Sequence, residues 1–285
     1  MSKLLAHWNL QERPFELVTD RRFFFQSQEH REALARLRYL VSERTMYAGL
    51  LSGEIGCGKS ITGRVFAAHL DPAQYAVVVF ENAHFRFADH IRHLARELDM
   101  DQAQIAGART AAQVYELVRT LLQSLGDGRG RHLVLIFDEA QDLRKDTLAD
   151  LKRLLNFNDD GFGRLTLILL GQPELREHVR VHAPLDQRVS LRFHLAGMSP
   201  EDCRLYLEHR LRIAGHPTGE LFTPEAHEVI ATAGRGVPRE LNRIAKLALE
   251  SARSHHSPVI EASHVNAVID DLALHRSAES LATSR

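Results

Sequence analysis

Residues 53–60 read Gly-Glu-Ile-Gly-Cys-Gly-Lys-Ser, and this stretch decides the fold class. It matches the pattern G-x-x-x-x-G-K-[ST] in full. An apolar run, Tyr47 to Leu51, precedes it, and a segment with helical periodicity follows it to about Leu70. In this strand-loop-helix setting, backbone N–H groups wrap the phosphates of a nucleotide at the amino end of the helix. The sequence therefore predicts a phosphate-binding loop of the P-loop class.

The residues of this loop are predicted to have different roles in nucleotide binding. The predicted contacts are Gly53, Glu54, Ile55, Gly56, Cys57, Gly58, Lys59 and Ser60, followed by Ile61. Lys59 supplies a positive charge, and Ser60 supplies a hydroxyl for Mg²⁺. Thiols near lysines and helix amino ends are more acidic, so Cys57 is either an oxidation-sensitive residue or an inert loop residue.

A second motif is an apolar strand that ends in two acids. Leu133–Phe137 is followed directly by Asp138 and Glu139. Such a strand holds the Mg²⁺ of P-loop ATPases, so Asp138 is the predicted metal ligand. Glu139 is predicted to polarise the attacking water, which distinguishes an ATPase from a nucleotide kinase. The alternative is a pair of solvated acids, which the phosphate loop disfavours.

The tetrad Asp138-Glu139-Ala140-Gln141 also resembles a helicase motif. A helicase would need a second α/β domain after the first. From Ser199 onward, however, every periodic segment of this chain is helical. The helicase interpretation is therefore the weaker one.

Two further candidate residues lie next to predicted strands: Gln172 follows one, and Arg188 precedes another. Gln172 comes after the strand Leu165 to Leu170, where its amide is a candidate sensor of the γ-phosphate; a loop-capping glutamine is the alternative. Arginine is well suited to neutralise charge on a transferring phosphoryl group, so Arg188 is a candidate catalytic residue that acts across a subunit boundary. A surface salt bridge is its alternative, and Arg180 and Arg192 are rivals for the role.

Arg239 opens a predicted helix in the second half of the chain. A cation in the first turn of a helix is disfavoured by the helix dipole. We therefore expect this arginine to reach back to the nucleotide rather than to be simply solvated.

Composition sets limits on the class of protein. Hydrophobic residues make up 44% of the chain, enough for a substantial core, and the net charge of −1 offers no bulk attraction to nucleic acid or membranes. Cys57 and Cys203 are the two cysteines, which argues for a reducing compartment. Since no apolar window reaches roughly 18 residues, we expect a soluble, cytoplasmic protein. The 17 histidines show no metal-binding spacing, so no metal beyond Mg²⁺ is predicted.

Near-continuous apolar runs alternate with helical segments, which predicts an α/β fold with a parallel sheet covered on both faces. The predicted strands are 47–51, 75–80, 133–137, 165–170 and 189–195. The predicted helices are 27–43, the segment from the loop to about 70, 87–98, 111–125, 143–155, 199–214, 224–233, 238–254 and 262–273, with a break at 126–130. The predicted parts are an aromatic lead-in with a helix packed on the ATPase core (1–46), the nucleotide-binding domain (47–196), a helical lid (197–273) and a flexible tail (274–285).

With these motifs in place, the chain resembles AAA+ ATPases of the ExeA (GspA-like) family, which help type II secretion machinery to assemble. The resemblance spans about residues 5–272. It rests on Arg13-Pro14-Phe15, the loop 53–60, Asp138-Glu139-Ala140-Gln141, Gly171-Gln172-Pro173-Glu174-Leu175, Gln187-Arg188 and Gly236-Val237-Pro238-Arg239. It implies Walker A, Walker B, sensor 1, arginine finger and sensor 2 motifs on a three-layer P-loop sandwich with a five-stranded parallel sheet and a helical lid. It also implies ATP with Mg²⁺ and homo-oligomeric rings or filaments.

Two departures from this family leave the pathway open. Cys57 and Ser60 stand where threonine or alanine is commoner, and we expect no membrane span or peptidoglycan-binding segment in this chain. The chain also resembles the AAA+ helpers of DNA transposition of the MuB, TnsC and TniB type, which assemble on DNA and direct a transposase. The candidate partners are thus a secretion or a transposition machinery, with DNA as a candidate ligand. A nucleotide-binding scaffold that does not hydrolyse ATP is a further alternative.

Overall fold

The apolar runs of the sequence form a single five-stranded parallel sheet with the strand order β2-β3-β4-β1-β5. The strands are β1 Ala48–Gly53, β2 Tyr75–Phe80, β3 His132–Phe137, β4 Leu165–Gly171 and β5 Val189–Leu195. β1, β3 and β4 are buried along their whole length, as expected for the central strands of a sheet covered on both faces. The prediction of an α/β fold with a parallel sheet is confirmed.

The computed structural model describes residues 3–16, 20–158 and 165–283. The helices of this part of the chain are α1 Lys3–His7, α2 Gln28–Ser42, α3 Lys59–His69, α4 Phe87–Glu97, α5 Gln102–Gly107, α6 Ala111–Arg129, α7 Lys145–Leu155, α8 Glu174–Val181, α9 Ala183–Asp186, α10 Pro200–Ile213, α11 Pro224–Gly234, α12 Pro238–Ser254 and α13 Ala262–Thr283. Among them, none has the length and apolar character needed to cross a lipid bilayer.

Helix α6 differs from its prediction. A break was expected at 126–130, but the helix continues to Arg129 and ends at Gly130, whose backbone is left-handed with φ 61°. Glycine inside a helix costs about 1 kcal/mol relative to alanine, which does not suffice to end a long, otherwise well-packed helix. A left-handed glycine just after the last turn is a common way to end one. Helix α13 likewise extends to Thr283, beyond its predicted end at 273.

The chain divides into two compact units. The first contains Met1–Arg31, Gly56–Gly58 and Ala196–Arg285, and the second contains Glu32–Ile55 and Lys59–Leu195. The second unit holds the sheet and has its own core of sheet and helix side chains. The first unit is helical and has a separate core.

The aromatic side chains of the lead-in are buried within the helical unit. Trp8, Phe15 and Phe23 are each at most 4% exposed and lie in the core formed by α10 to α13. The Trp8 indole N–H donates to the carbonyl of Leu249 at 3.2 Å, and the Phe15 and Phe222 rings lie 6.1 Å apart. Aromatic side chains must be buried somewhere, but their sequence pattern does not reveal against which partner.

Candidate functional site

The predicted nucleotide-binding residues lie where neighbouring strands end. β1 ends at the phosphate loop, β3 ends just before Asp138 and β4 ends just before Gln172. Because all strands are parallel, these three segments leave the same carboxyl edge of the sheet. β4 lies between β3 and β1 in the sheet, so Gln172 starts from a position between the acids and the loop. The structure therefore brings the Walker A, Walker B and sensor 1 positions together.

The loop after β1 has the backbone that its glycines permit. Gly56 has φ 84° and Gly58 has φ 102°, values that glycine adopts at no steric cost. α3 begins at Lys59, whose side chain is 5% exposed and whose Nζ donates to the carbonyls of Gly53 (2.8 Å) and Glu54 (3.0 Å). An ammonium has three N–H donors, so one more is available for a phosphate oxygen.

The thiol next to these glycines is enclosed. Cys57 is 1% exposed and forms no disulfide. A thiol buried to this degree does not meet a dissolved oxidant, and oxidation requires access as well as thiolate character. Of the two interpretations of Cys57, the burial favours the inert loop residue.

Asp138 is a buried carboxylate beside the Ser60 hydroxyl. It is 7% exposed, and burial raises its pKa, an effect that the hydrogen bond from Ser60 and the N–H of Glu139 partly oppose. The charge of Glu139 also raises this pKa, whereas the charge of Arg64 lowers it. A buried anion in this position gains from a cation, and carboxylate and hydroxyl oxygens are the ligands that Mg²⁺ prefers. The donor set thus fits a magnesium ion.

Glu139 has an unusual backbone. Its φ is 48° and its ψ is 42°, a left-handed conformation that costs of the order of 1–3 kcal/mol for a residue other than glycine. Its N–H donates to Oδ1 of Asp138 at 3.0 Å, and its Oε2 accepts from Nε2 of Gln141 at 2.8 Å. The carboxylate is half-buried at the carboxyl edge of the sheet. Such strain is typical of functional positions.

Gln141 is the site residue that the sequence analysis missed. Its Oε1 accepts a hydrogen bond from the backbone N–H of Gln172 at 3.0 Å, while its Nε2 binds Glu139. A Cβ at Gly171 would lie 2.7 Å from the same Oε1, so glycine leaves room for this contact. The tetrad that contains Gln141 was visible in the sequence, but the sequence does not show that its fourth residue binds its second.

Arg188 lies at the opposite edge of the sheet. It immediately precedes β5, and β5 pairs with β1 so that Val189 faces Ala48 and Leu195 faces Gly53. The seven residues of β5 span about 20 Å at about 3.3 Å per residue, and an arginine side chain does not extend that far. Arg188 is therefore not brought together with the phosphate loop of its own chain.

The two rival arginines are held by acids. Arg180 pairs with Glu177 at 2.8 Å, and Arg192 pairs with Asp186 at 2.6 Å. Arg192 also donates to the main-chain oxygen of Val189 at 3.0 Å. These contacts are those of structural surface arginines.

Arg239, at the start of α12, contacts the tip of the phosphate loop inside the first compact unit. Its backbone N–H donates to the carbonyl of Gly56 at 3.3 Å. A Cβ built on Gly56 would lie 2.5 Å from the Cβ of Arg239, so only glycine fits here. A role for the Arg239 guanidinium in nucleotide binding stays a prediction.

His30 supports the loop from within the same unit, and no sequence signal identified it. It is 2% exposed, its ring hydrogen-bonds to the backbone of Cys57, and its Nδ1 lies 2.6 Å from Oγ of Ser27. Burial lowers its pKa to about 4, although the Cys57 contact and the charge of Asp202 oppose this shift. His30 is therefore a neutral residue near pH 7.

Comparisons with known proteins agree with this geometry. Residues 42–179 match the family described as AAA domain. Over 248 residues the chain is 32% identical to general secretion pathway protein A of Aeromonas hydrophila. The aligned region covers 86% of this chain and 44% of that protein. The chain thus spans less than half the length of this relative.

Solved structures show the same fold. The ORC2 protein of Aeropyrum pernix, in ADPNP and ADP complexes, superimposes with a TM-score of 0.64 at 18% identity, over 88% of this chain and 71% of that one. The Holliday junction branch migration motor RuvB of Thermotoga maritima gives a TM-score of 0.57 at 16% identity, over 88% and 73%. With its phosphate loop, its acidic strand end and its parallel sheet, the chain has the fold of P-loop proteins, carries an AAA domain over residues 42–179 and is similar to an ExeA-like protein.

Proposed function

We propose that this protein binds ATP with Mg²⁺ and hydrolyses it at a site shared between neighbouring subunits. The observation that carries the proposal is the arrangement at the carboxyl edge of the sheet. There a buried lysine follows β1, while a buried aspartate beside a serine hydroxyl and a strained glutamate follow β3, with β4 between the two strands.

Each of these residues fits one part of the chemistry. Lys59 would bind phosphate oxygens through its remaining N–H donor, and Ser60 and Asp138 would hold Mg²⁺. When bound, Mg²⁺ supplies neutralisation of phosphate charge. Glu139 would take the proton of the attacking water while the water oxygen bonds to the γ-phosphorus and the bond to the ADP oxygen breaks. Gln172 would position the γ-phosphate.

The position of Arg188 supports a site shared between subunits. Since Arg188 lies about 20 Å from the loop of its own chain, it would act on the nucleotide of a neighbouring subunit in a ring or filament. Arg239, which touches the loop tip at Gly56, would report the nucleotide state to the helical unit. Hydrolysis would then change the assembly of subunits.

The pathway is proposed from similarity. The relative with 32% identity is named for the general secretion pathway, which supports a role in the assembly of secretion machinery. A transposition helper is the competing function. Its ATPase should respond to duplex DNA, with an affinity that falls steeply as the salt concentration rises.

Phosphate release by the wild type and by Glu139→Gln tests the hydrolysis proposal. We expect the variant to be slower by a factor of about 10²–10⁴, the usual contribution of a general base. Glu43→Gln, which removes an exposed carboxylate at the end of α2, is the matched control and should behave as the wild type. Equal, near-zero rates for all three proteins would instead indicate a non-hydrolysing scaffold.

The same assay with duplex DNA tests the pathway. No response to DNA across a range of salt concentrations is the result expected of a secretion ATPase. Salt-sensitive stimulation by DNA would overturn the secretion proposal and favour the transposition helper.

A further inference from the structure

We propose that Gln141 is a positioning residue that couples the carboxylate of Glu139 to the sensor segment at Gln172. The inference rests on the proposed function of Glu139 as the general base. The observation that carries it is a different one: the Gln141 amide bridges the ends of two strands. Its Nε2 donates to Oε2 of Glu139 at 2.8 Å, and its Oε1 accepts from the backbone N–H of Gln172 at 3.0 Å.

The chemistry of the two partners fixes the orientation of the amide. The backbone N–H of Gln172 is a donor only, so the oxygen of the amide must face it. The NH₂ group must then face Glu139, whose ionised carboxylate only accepts. A side chain with both a donor and an acceptor is required at this position. Glutamate would keep the contact with Gln172 but would place a second carboxylate against Glu139.

The bridge also fixes the side chain of Glu139, whose backbone is strained. The N–H of Glu139 is held by Asp138 at 3.0 Å, and its carboxylate is held by Gln141 at 2.8 Å, so both ends of the residue are fixed. A hydrogen bond to a charged group is worth more than one between neutral groups. Without Gln141, the backbone of Glu139 would keep its place while the carboxylate would lose its direction.

A shift of the Gln172 backbone would therefore be felt at the Glu139 carboxylate. Gln172 leaves β4, and Glu139 follows β3, which pairs with β4 directly. The bridge makes the direction of the general base depend on the position of the residue predicted to meet the γ-phosphate. Water activation would then be favoured only when that residue is in its nucleotide-bound position.

Steady-state kinetics of the full chain test the inference. We expect Gln141→Met, which keeps the volume and removes both hydrogen bonds, to lower kcat about 10–100-fold, the range that a misplacement of about 1 Å produces. The affinity for a fluorescent ATP analogue should change by less than about 3-fold, a split that general unfolding would not give. Gln141→Glu should lose at least as much kcat as Gln141→Met. An unchanged kcat in either variant would overturn the inference.

A control and a double variant separate positioning from structural support. His178→Ala removes the imidazole that lies 3.1 Å from the main-chain oxygen of Gln141, so it alters a neighbour without touching the amide; its kcat should stay within about 2-fold of the wild type. Adding Gln141→Met to Glu139→Gln should cause no further loss, because the bridge acts through Glu139. Multiplicative losses would contradict this.

Thermal unfolding distinguishes a failure of the inference from a failure of the proposed function. If the wild type does not hydrolyse ATP, the proposed function fails, but the contact can still be measured. The shifts in Tm for Glu139→Ala and Gln141→Ala should then be non-additive in the double variant, as they are for residues in direct contact. Additive shifts would overturn the inference whatever the activity.

Discussion

The two edges of the central sheet carry different parts of the predicted chemistry. The carboxyl edge holds the phosphate loop, Asp138 and Glu139, whereas Arg188 precedes β5 at the amino edge. The same sheet separates them by about 20 Å. Under the proposed function, one chain would bind a nucleotide at one edge and offer Arg188 to a neighbouring subunit at the other. In the proposed function, the two ends of the sheet would therefore supply the two halves of a site shared between subunits.

The largest expected effect separates the two edges directly. Arg188→Ala should lower the rate of ATP hydrolysis by a factor of about 10³–10⁵, the range known for arginine fingers. Nucleotide affinity should remain within about 3-fold, because the carboxyl edge is untouched. Phosphate release and the binding of a fluorescent ATP analogue measure the two quantities.

A mixture of two inactive variants sharpens this test. Arg188→Ala subunits have an intact loop, and Lys59→Ala subunits have an intact arginine, so mixed oligomers should regain part of the activity. If mixing restores nothing, the assignment of Arg188 to a neighbouring site is wrong.

Lys59→Ala should have the next largest effect, at the carboxyl edge. The buried ammonium is a charge-assisted donor, and its loss should weaken ATP binding about 100-fold. Titration calorimetry with ATP and Mg²⁺ measures this. An unchanged affinity would show that the loop is not the phosphate site.

Acidic pH should destabilise the fold through His30, whose ring hydrogen-bonds to the backbone of Cys57 in the phosphate loop. The folded pKa of His30, about 4, lies below its ordinary value of 6.5, so the unfolded state takes up the proton first. Stability is then lost as the pH falls below about 6.5. Between about pH 7 and about pH 5, the wild type should lose about 2 kcal/mol more than His30→Gln in denaturant unfolding. Parallel pH curves for the two proteins would contradict the prediction.

The smallest expected effect concerns the neighbours of Arg188. Arg180→Ala and Arg192→Ala each remove an arginine already paired with an acid, so hydrolysis should change by less than about 3-fold. These two variants are matched controls for Arg188→Ala. A loss of several hundred-fold in either of them would transfer the finger role to that residue.

The residues at the carboxyl edge of the sheet were largely predictable from the sequence, for a physical reason. Phosphate binding needs left-handed glycines at Gly56 and Gly58 and a helix start at Lys59, and these demands fix residue types at fixed spacing. Parallel strands then bring Asp138 and Gln172 to the same edge without further information. Local patterns and one topological rule are enough.

Contacts between distant segments were not predictable in the same way. Neither the bridge made by Gln141 nor the support given by His30 requires a fixed spacing along the chain. A buried histidine looks like any polar residue on a helix, and Trp8 could be buried against either core as far as its pattern shows. The left-handed Gly130, rather than the glycine cluster as a whole, decided where α6 ends.

The aromatic lead-in is synthesised long before the helices against which it packs. Its aromatic residues, among them Trp8 and Phe15, pack against helices that begin after Ala196. On the ribosome, the segment Lys59–Leu195 emerges before the partners of these aromatics exist, so the sheet can form while the first residues still expose apolar surface. A truncation or tag at the amino terminus should for the same reason disturb the last helices to be made.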